Sequence, residues 1–159
     1  MAPQQTVLSP RQLEELRHSL AQVAQQATIR CALLADLSGQ ELVAWSPRGG
    51  IDLPTVAALA ASDVMATIEI SRMLGGQRSC NLIIQEHEEQ TILIGRVGEG
   101  FLLLLATGRD VPLGWARLAL KSVTNRILAI AGTAAMTPPP VAVTDEFATQ
   151  FSAQLDTIW

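Results

Sequence analysis

The sequence predicts an α+β domain in which helices cover both faces of an antiparallel sheet. One observation behind this prediction is the order of the elements, which follow each other as α-β-β-α-β-β-β-α. The other is that the first and last β-type runs, residues 29–37 and 101–107, are apolar on both sides. Strands that are buried on both faces lie in the middle of a sheet, so these two runs should pair with each other. Helices would then cover the sheet from both sides.

The composition is rich in apolar residues and poor in charge. The chain has 159 residues, which is the length of one domain with a short appendage. Charged residues make up only 16% of it, against a usual value of about 25%. An apolar content of 48% excludes disorder throughout, and a net charge of -4 argues against a nucleic-acid binder. The shortage of charge predicts that another chain covers part of the apolar surface.

Cysteine usage and hydropathy indicate a cytoplasmic protein. Cys31 and Cys80 lie far apart and form no CxxC motif, so we expect two buried, inert thiols. The first twelve residues lack the charged and apolar regions of a signal peptide. The longest continuous apolar run, 101–106, has the length of a strand and not the roughly 20 residues of a membrane helix.

The first helix and the hairpin after it have clear local signals. Ser9 can serve as the N-cap of a helix over 9–26, and Gln12 completes a capping box. The first central strand then leads through a tight turn at Gly39 into a second strand over 41–46.

Residues 52–74 predict a long helix with two different apolar sides. Asp52 can cap its start, and Gly75 and Gly76 end it. The side opposite the predicted sheet carries mainly small residues and methionine: Ala58, Ala61, Ser62, Met65, Ala66, Glu69, Arg72 and Met73. Small side chains permit close approach and Met adapts to irregular partners, so this face should meet another protein surface. The alternative is that its alanines only supply helix propensity on an exposed face.

Three further strands form a predicted meander that leads into a third helix. The run 79–86 alternates like a half-buried outer strand, and tight turns connect it to 91–97 and then to the second central strand. A helix over 113–131 follows. The two faces of the outer strand are predicted to be Cys80, Leu82 and Ile84, and Ser79, Asn81 and Gln85.

The end of the sequence predicts a tethered amphipathic helix. A proline-rich linker over 135–143 separates a domain over 9–134 from a helix over 144–159 that carries three acidic residues and no basic one. Its apolar residues are Phe147, Phe151, Leu155, Ile158 and Trp159. Such a helix should dock into a groove on its own dimer or on a partner. Membrane docking is disfavoured, because interfacial helices carry Lys and Arg on the polar face.

No pattern of catalytic or metal-binding residues stands out. The glycines at 75–79 and 95–100 adjoin strands and lack the strand-to-helix context of a phosphate-binding loop. His18 and His87 have no Cys or His partners at zinc-ligand spacing, and the acidic turn at 86–89 is expected to be solvated. The sequence therefore predicts a binding module without cofactor, metal or catalytic residues.

Three stretches carry a family resemblance in their order and spacing. They are the strand-turn-strand run ALLADLSGQELV at 32–43, Asp52-Leu53 ahead of the alanine-rich run 56–61, and Leu113-Gly114 with Arg117-Leu118 at the start of the third helix. With these motifs, residues 9–134 resemble the Roadblock / dynein light chain family, and in particular its bacterial MglB-type branch.

The resemblance implies a fold, an assembly and a function. It implies a five-stranded sheet of order 2-1-5-4-3, with the second helix on one face and the other two on the opposite face. It also implies a homodimer joined through the third strands, here Ser79, Asn81, Ile83 and Gln85. MglB-type members bind a Ras-like GTPase of the MglA type and speed its GTP hydrolysis by reshaping its switch elements. The residues that would form the partner-binding or dimer-binding face are Ala58, Ala61, Ser62, Met65, Glu69 and Arg72.

Three alternatives to this function remain open. A Roadblock scaffold would bind partners without changing GTP turnover. A small-molecule sensor would use a pocket of the α/β layers. An arginine finger supplied by Arg48, Arg78 or Arg109 would add direct catalysis to GTPase activation.

Overall fold

The computed structural model describes residues 7–26, 28–76 and 80–132. The predicted linker over 135–143 and the predicted helix over 144–159 lie outside the described residues. The described elements are α1 (Pro10–Gln26), β1 (Ile29–Asp36), β2 (Glu41–Trp45), α2 (Leu53–Met73), β3 (Leu82–Glu86), β4 (Gln90–Val97), β5 (Phe101–Gly108) and α3 (Leu113–Gly132).

The five strands form one antiparallel sheet in the order β2-β1-β5-β4-β3. β1 and β5 pair in the centre, with Leu34 opposite Leu103, and every residue of β5 is buried. The predicted fold class, strand order and central pair are therefore confirmed. The sequence of β5 is continuously apolar because both faces of this strand are buried.

The helices divide into two layers, as predicted. α1 and α3 cover one face of the sheet, where Leu16, Leu103 and Ile127 are among the fully buried side chains. α2 alone covers the other face, where Ala57 and Val64 pack with Leu33 and other side chains of the sheet. One face of the sheet is thus covered by two helices and the other by one.

Short-range hydrogen bonds explain where the first two helices begin. The Ser9 backbone N–H donates to Gln12 Oε1 at 2.8 Å, and the Gln12 N–H donates to Ser9 Oγ at 3.3 Å, which completes the predicted capping box. At α2, the Thr55 N–H donates to Asp52 Oδ1 at 3.2 Å. The hydrogen bond that Thr55 Oγ1 donates to Asp52 Oδ2 at 2.6 Å, together with the one from the Thr55 N–H, lowers the pKa of the Asp52 carboxyl below its ordinary value.

The β1–β2 turn is built around the side chain of Asp36. Its Oδ1 accepts hydrogen bonds from the Ser38 N–H at 2.9 Å and the Gln40 N–H at 3.0 Å. Gly39 completes the turn with a φ of +91°, which glycine adopts without steric cost. The Asp-x-x-Gly motif therefore stabilises the hairpin turn in two ways: the Asp36 side chain accepts backbone hydrogen bonds, and Gly39 adopts the left-handed backbone conformation.

The outer strand differs from its sequence-based prediction at its beginning. β3 starts at Leu82, and residues 77–79 lie outside the described residues. Leu82 and Ile84 pack on the α1–α3 side, as one face of an alternating strand. Cys80 does not share that face: it is buried in the cluster beneath α2. It precedes the strand, where the two-residue alternation of side chains does not hold.

Candidate protein-interaction surface

α2 presents a continuous exposed surface on the side that faces away from the sheet. We call this the outer α2 surface; it consists of Ala58, Leu59, Ser62, Met65, Ala66, Glu69, Ile70, Arg72 and Met73. Four large apolar side chains are strongly exposed, with Leu59 at 64%, Met65 at 57%, Ile70 at 58% and Met73 at 76%. Clustered apolar exposure of this kind is typical of a protein-binding surface.

The charges on the outer α2 surface neutralise each other. Arg72 Nε donates to both carboxylate oxygens of Glu69, at 2.9 and 3.0 Å. These hydrogen bonds raise the pKa of the Arg72 guanidinium. Since both groups are exposed, the pair adds little to stability. Because of this pair the surface has no net charge, so an apolar partner can cover it without burying an unpaired ion.

Two contacts show which way each flank of α2 faces on the sheet. On one side, Gln85 Nε2 of β3 donates a hydrogen bond to Asp63 Oδ2. On the other side, Gly39 lies so close to α2 that a Cβ atom there would be 2.9 Å from Ala58 Cα and 3.4 Å from Ala61 Cβ. The outer α2 surface therefore has one flank toward β3 and one toward the β1–β2 turn.

Helical geometry assigns the exposed apolar residues to these flanks. With 3.6 residues per turn, Leu59 and Ile70 lie within about 40° of Asp63, and we call them the β3-side flank. Met65 and Arg72 lie within about 40° of Ala61, and we call them the turn-side flank. Sequence reasoning missed Leu59 and Ile70, although their spacing of eleven residues places them on one stripe.

The residues predicted for the outer face divide into exposed and buried positions. Ala58, Ser62, Met65, Glu69 and Arg72 are all exposed, as an interaction surface requires. Ala61 is only 5% exposed and belongs to the core beneath α2. Its assignment to the outer face is wrong. Its small side chain instead allows α2 to lie close to the β1–β2 turn at Gly39.

β3 offers an open edge beside the β3-side flank. The Arg96 N–H donates to Asn81 O at 3.3 Å, and the His87 N–H donates to Gln90 O at 2.9 Å. Because bonding to a neighbour alternates along an antiparallel strand, the backbone groups of Leu82, Ile84 and Glu86 point away from β4. These unpaired groups are a template for pairing with another strand.

The residues that the sequence predicts for the dimer strand are not the ones whose backbone groups are free at this edge. Asn81, Ile83 and Gln85 direct their backbone groups toward β4, and Ser79 lies outside the described residues. The side chains of Ile83 and Ile92 pack only partly buried beneath α2, so the single helix on this face leaves them incompletely covered.

The part of the chain that the structure describes holds no cluster of three or more metal-ligating side chains. A shallow cleft of about 390 Å³ lies between the β2–α2 and β3–β4 connections, where Arg30, Arg48 and His87 contribute to its lining. Burial raises the pKa values of the Cys31 and Cys80 thiols, so both stay protonated at neutral pH and are poor nucleophiles.

The candidate arginines of the finger hypothesis have different positions. Arg48 lines the cleft, and Arg109 Nη1 lies 3.3 Å from Glu86 Oε1 in an exposed ion pair. Arg78 lies outside the described residues, as do the predicted docking residues Phe147, Phe151, Leu155, Ile158 and Trp159.

α2 is also long and apolar enough to cross a membrane, by length and composition alone. Its inner side, however, is part of the core: Ala57, Ala60 and Val64 are buried against the sheet. The core helix of a soluble domain meets the same criterion, so this helix is weak evidence for a membrane span.

Comparison with known proteins identifies similar solved structures. No protein-family model matches the chain, and no curated protein matches it. Myxococcus xanthus MglB is similar with a TM-score of 0.75 and 18% identity, covering 84% of this chain and 98% of that one. A structure of MglB in a tetrameric arrangement has a TM-score of 0.74 and 26% identity, covering 84% and 99%.

A more distant match extends the similarity beyond MglB. The Roadblock/LC7 domain from Streptomyces avermitilis has a TM-score of 0.62 and 13% identity, covering 71% of this chain and 94% of that domain. These alignments span nearly the full length of each similar structure, and they agree with the sheet order and helix layers described above. The chain therefore has a Roadblock-like fold of the MglB type.

Proposed function

We propose that this chain is a homodimeric regulator that binds a Ras-like small GTPase of the MglA type through the outer α2 surface. The observation that carries the proposal is the exposure of four large apolar side chains on one charge-neutral helix face: Leu59 and Ile70 for self-association, Met65 and Met73 for the GTPase. The similarity to MglB structures supports the choice of a Roadblock-type regulator. A cytoplasmic location is part of the same proposal.

Self-association would use the open edge of β3 and the flank of α2 beside it. Pairing of two β3 strands would satisfy the backbone groups of Leu82, Ile84 and Glu86 in both chains. It would also bring two β3-side flanks together, so that Leu59 and Ile70 are covered. The partly buried side chains beneath α2 would gain a second helix as cover.

The GTPase would then bind across the remaining exposed part of the two α2 helices, including the turn-side flank. Since Met is flexible and polarisable, Met65 and Met73 suit a partner whose switch segments change conformation. Binding that favours the hydrolysis-competent conformation speeds GTP turnover without a catalytic group from the regulator. Arg109, one of the three candidate arginines for a finger, would have to leave its ion pair with Glu86 to act in this way.

The test is single-turnover GTP hydrolysis by an MglA-type GTPase with and without this protein. Met65→Arg places an unpaired charge in the proposed interface and should abolish the stimulation. Val7→Arg, which adds the same charge to an exposed apolar position before α1, is the control. Full stimulation by Met65→Arg would contradict the site. Ala61→Arg is unsuitable because that residue is buried in the core.

Two other functions give different results in the same assay. A scaffold binds the GTPase without changing its turnover. A small-molecule sensor would use the cleft at Arg30 and Arg48, and native mass spectrometry of the purified protein would then detect a bound metabolite. Stimulated turnover without a bound metabolite supports the regulator.

A further inference from the structure

The outer side of α3 carries a second exposed apolar surface, on the opposite face of the sheet from α2. Leu118 is 68% exposed, Leu128 42% and Trp115 38%. At 3.6 residues per turn, Trp115 and Leu118 lie on one stripe with Ser122, Asn125 and Ala129, which we call the α3 stripe. None of these five side chains is charged.

Unpaired positive charge surrounds the α3 stripe. Arg117, Lys121 and Arg126 are exposed, and α3 has no acidic residue. None of the three forms an ion pair among the described residues. The acidic residues of the neighbouring helix α1 already have partners, because Glu15 pairs with Arg11 and Glu14 with Arg17, each at 3.2 Å. A segment that covers this face would therefore have to be both apolar and negatively charged.

We propose that residues 144–159 of the same chain form this cover by docking on the α3 stripe. This segment has Asp145, Glu146 and Asp156 as its only charged side chains, so its charge is opposite to that of α3. Its apolar residues recur at helical spacing and would meet the exposed apolar side chains of α3: Phe147, Phe151, Leu155 and Ile158.

The connection is long enough for this arrangement. The described chain ends with α3 at Gly132, so the linker to the segment begins at one end of the proposed site. Residues 133–143 span at most about 36 Å when extended, and the three prolines favour an extended form. A helix over 144–159 would be about 24 Å long and would lie along the roughly 30 Å of α3. Both antiparallel and parallel docking are within reach.

The charge pattern distinguishes this occupant from a membrane. An anionic lipid surface would be attracted to the cations of α3, but it would repel the three acidic residues tethered to the end of that helix. The tethered segment is also present at a high effective concentration. The proposal is independent of GTPase binding, since the α3 stripe and the outer α2 surface lie on opposite faces of the sheet.

The experiment is hydrogen exchange of the full-length protein, followed by mass spectrometry of peptides from 144–159. The wild-type segment should be protected, and Arg117→Glu/Lys121→Glu should speed its exchange about tenfold. Adding Asp145→Lys/Glu146→Lys/Asp156→Lys to that variant should restore protection, because the attraction between the segment and α3 is then re-formed with inverted charge. Arg48→Glu/Arg109→Glu has the same change in net charge outside α3 and should have no effect.

Four outcomes would overturn the proposal. One is exchange of the wild-type segment at the rate of an unstructured chain. A second is equal loss of protection in the control variant. A third is protection that disappears on dilution, since the segment would then dock on a second copy. The fourth is protection that appears only with phosphatidylglycerol vesicles, which would assign the surface to a membrane.

Discussion

Truncation of Leu59 should weaken self-association strongly while leaving the fold intact. Leu59 is 64% exposed and makes no contribution to the two buried clusters. Burying a whole leucine side chain is worth about 1.5–3 kcal/mol, so covering its exposed two thirds contributes about 1–2 kcal/mol. A twofold dimer contains two such residues. Leu59→Ala should therefore cost about 2–4 kcal/mol of association free energy, or roughly 30- to 1000-fold in Kd.

The assay is sedimentation equilibrium over a wide range of protein concentrations. Leu118→Ala removes a leucine of nearly equal exposure, 68%, from the opposite face and is the matched control. Circular dichroism melting checks that both variants stay folded, and Leu59→Ala should not lose more than about 0.5 kcal/mol of unfolding free energy apart from the contribution of association. An unchanged Kd for Leu59→Ala, or an equal loss of affinity for Leu118→Ala, would show that the β3-side flank is not the self-association surface.

Three further predictions concern the fold beneath the site. Gly39→Ala should destabilise by about 2–4 kcal/mol in urea denaturation, because its φ of +91° disfavours a side chain and the new Cβ would lie 2.9 Å from Ala58 Cα. Asp52→Ala should lower the melting temperature, whereas Asp52→Asn should retain most of the cap. The hydrogen bonds from Thr55 lower the folded-state pKa of Asp52, so its contribution to stability is complete above the ordinary aspartate pKa and is lost as pH falls through the lower folded value. Melting curves from pH 6 to pH 2 measure this loss, and an equal pH dependence of the melting temperature in Asp52→Ala would contradict it. Iodoacetamide at neutral pH should modify Cys31, which lines the cleft but is only 8% exposed, much more slowly in the folded than in the unfolded protein, since burial raises the pKa of the thiol.

Local signals in the sequence predicted most of the fold correctly. The capping box at Ser9, the N-cap at Asp52 and the glycine turn at Gly39 each depend on side-chain or backbone groups within a few residues. The pairing of β1 with β5 followed from runs that are apolar on both faces, because such runs have only one favourable place in a sheet.

The rotation of α2 could not be predicted from its sequence in the same way. Both sides of this helix are apolar, so periodicity alone does not decide which side contacts the sheet. The decision depends on distant contacts: Ala61 is buried in the cluster beneath α2 where the helix approaches Gly39, and Asp63 accepts a hydrogen bond from Gln85 on the flank that carries Leu59. Cys80 was placed on the wrong face because it precedes the strand whose alternation was extended to it.

The central claim is that the outer α2 surface binds a Ras-like GTPase. The most direct measurement is hydrogen exchange of this protein alone and with an MglA-type GTPase loaded with a non-hydrolysable GTP analogue. We expect peptides from residues 58–73 to gain protection on binding, and Met65→Arg to abolish the gain. Binding of the GTPase with unchanged exchange over 58–73, and new protection elsewhere, would contradict it.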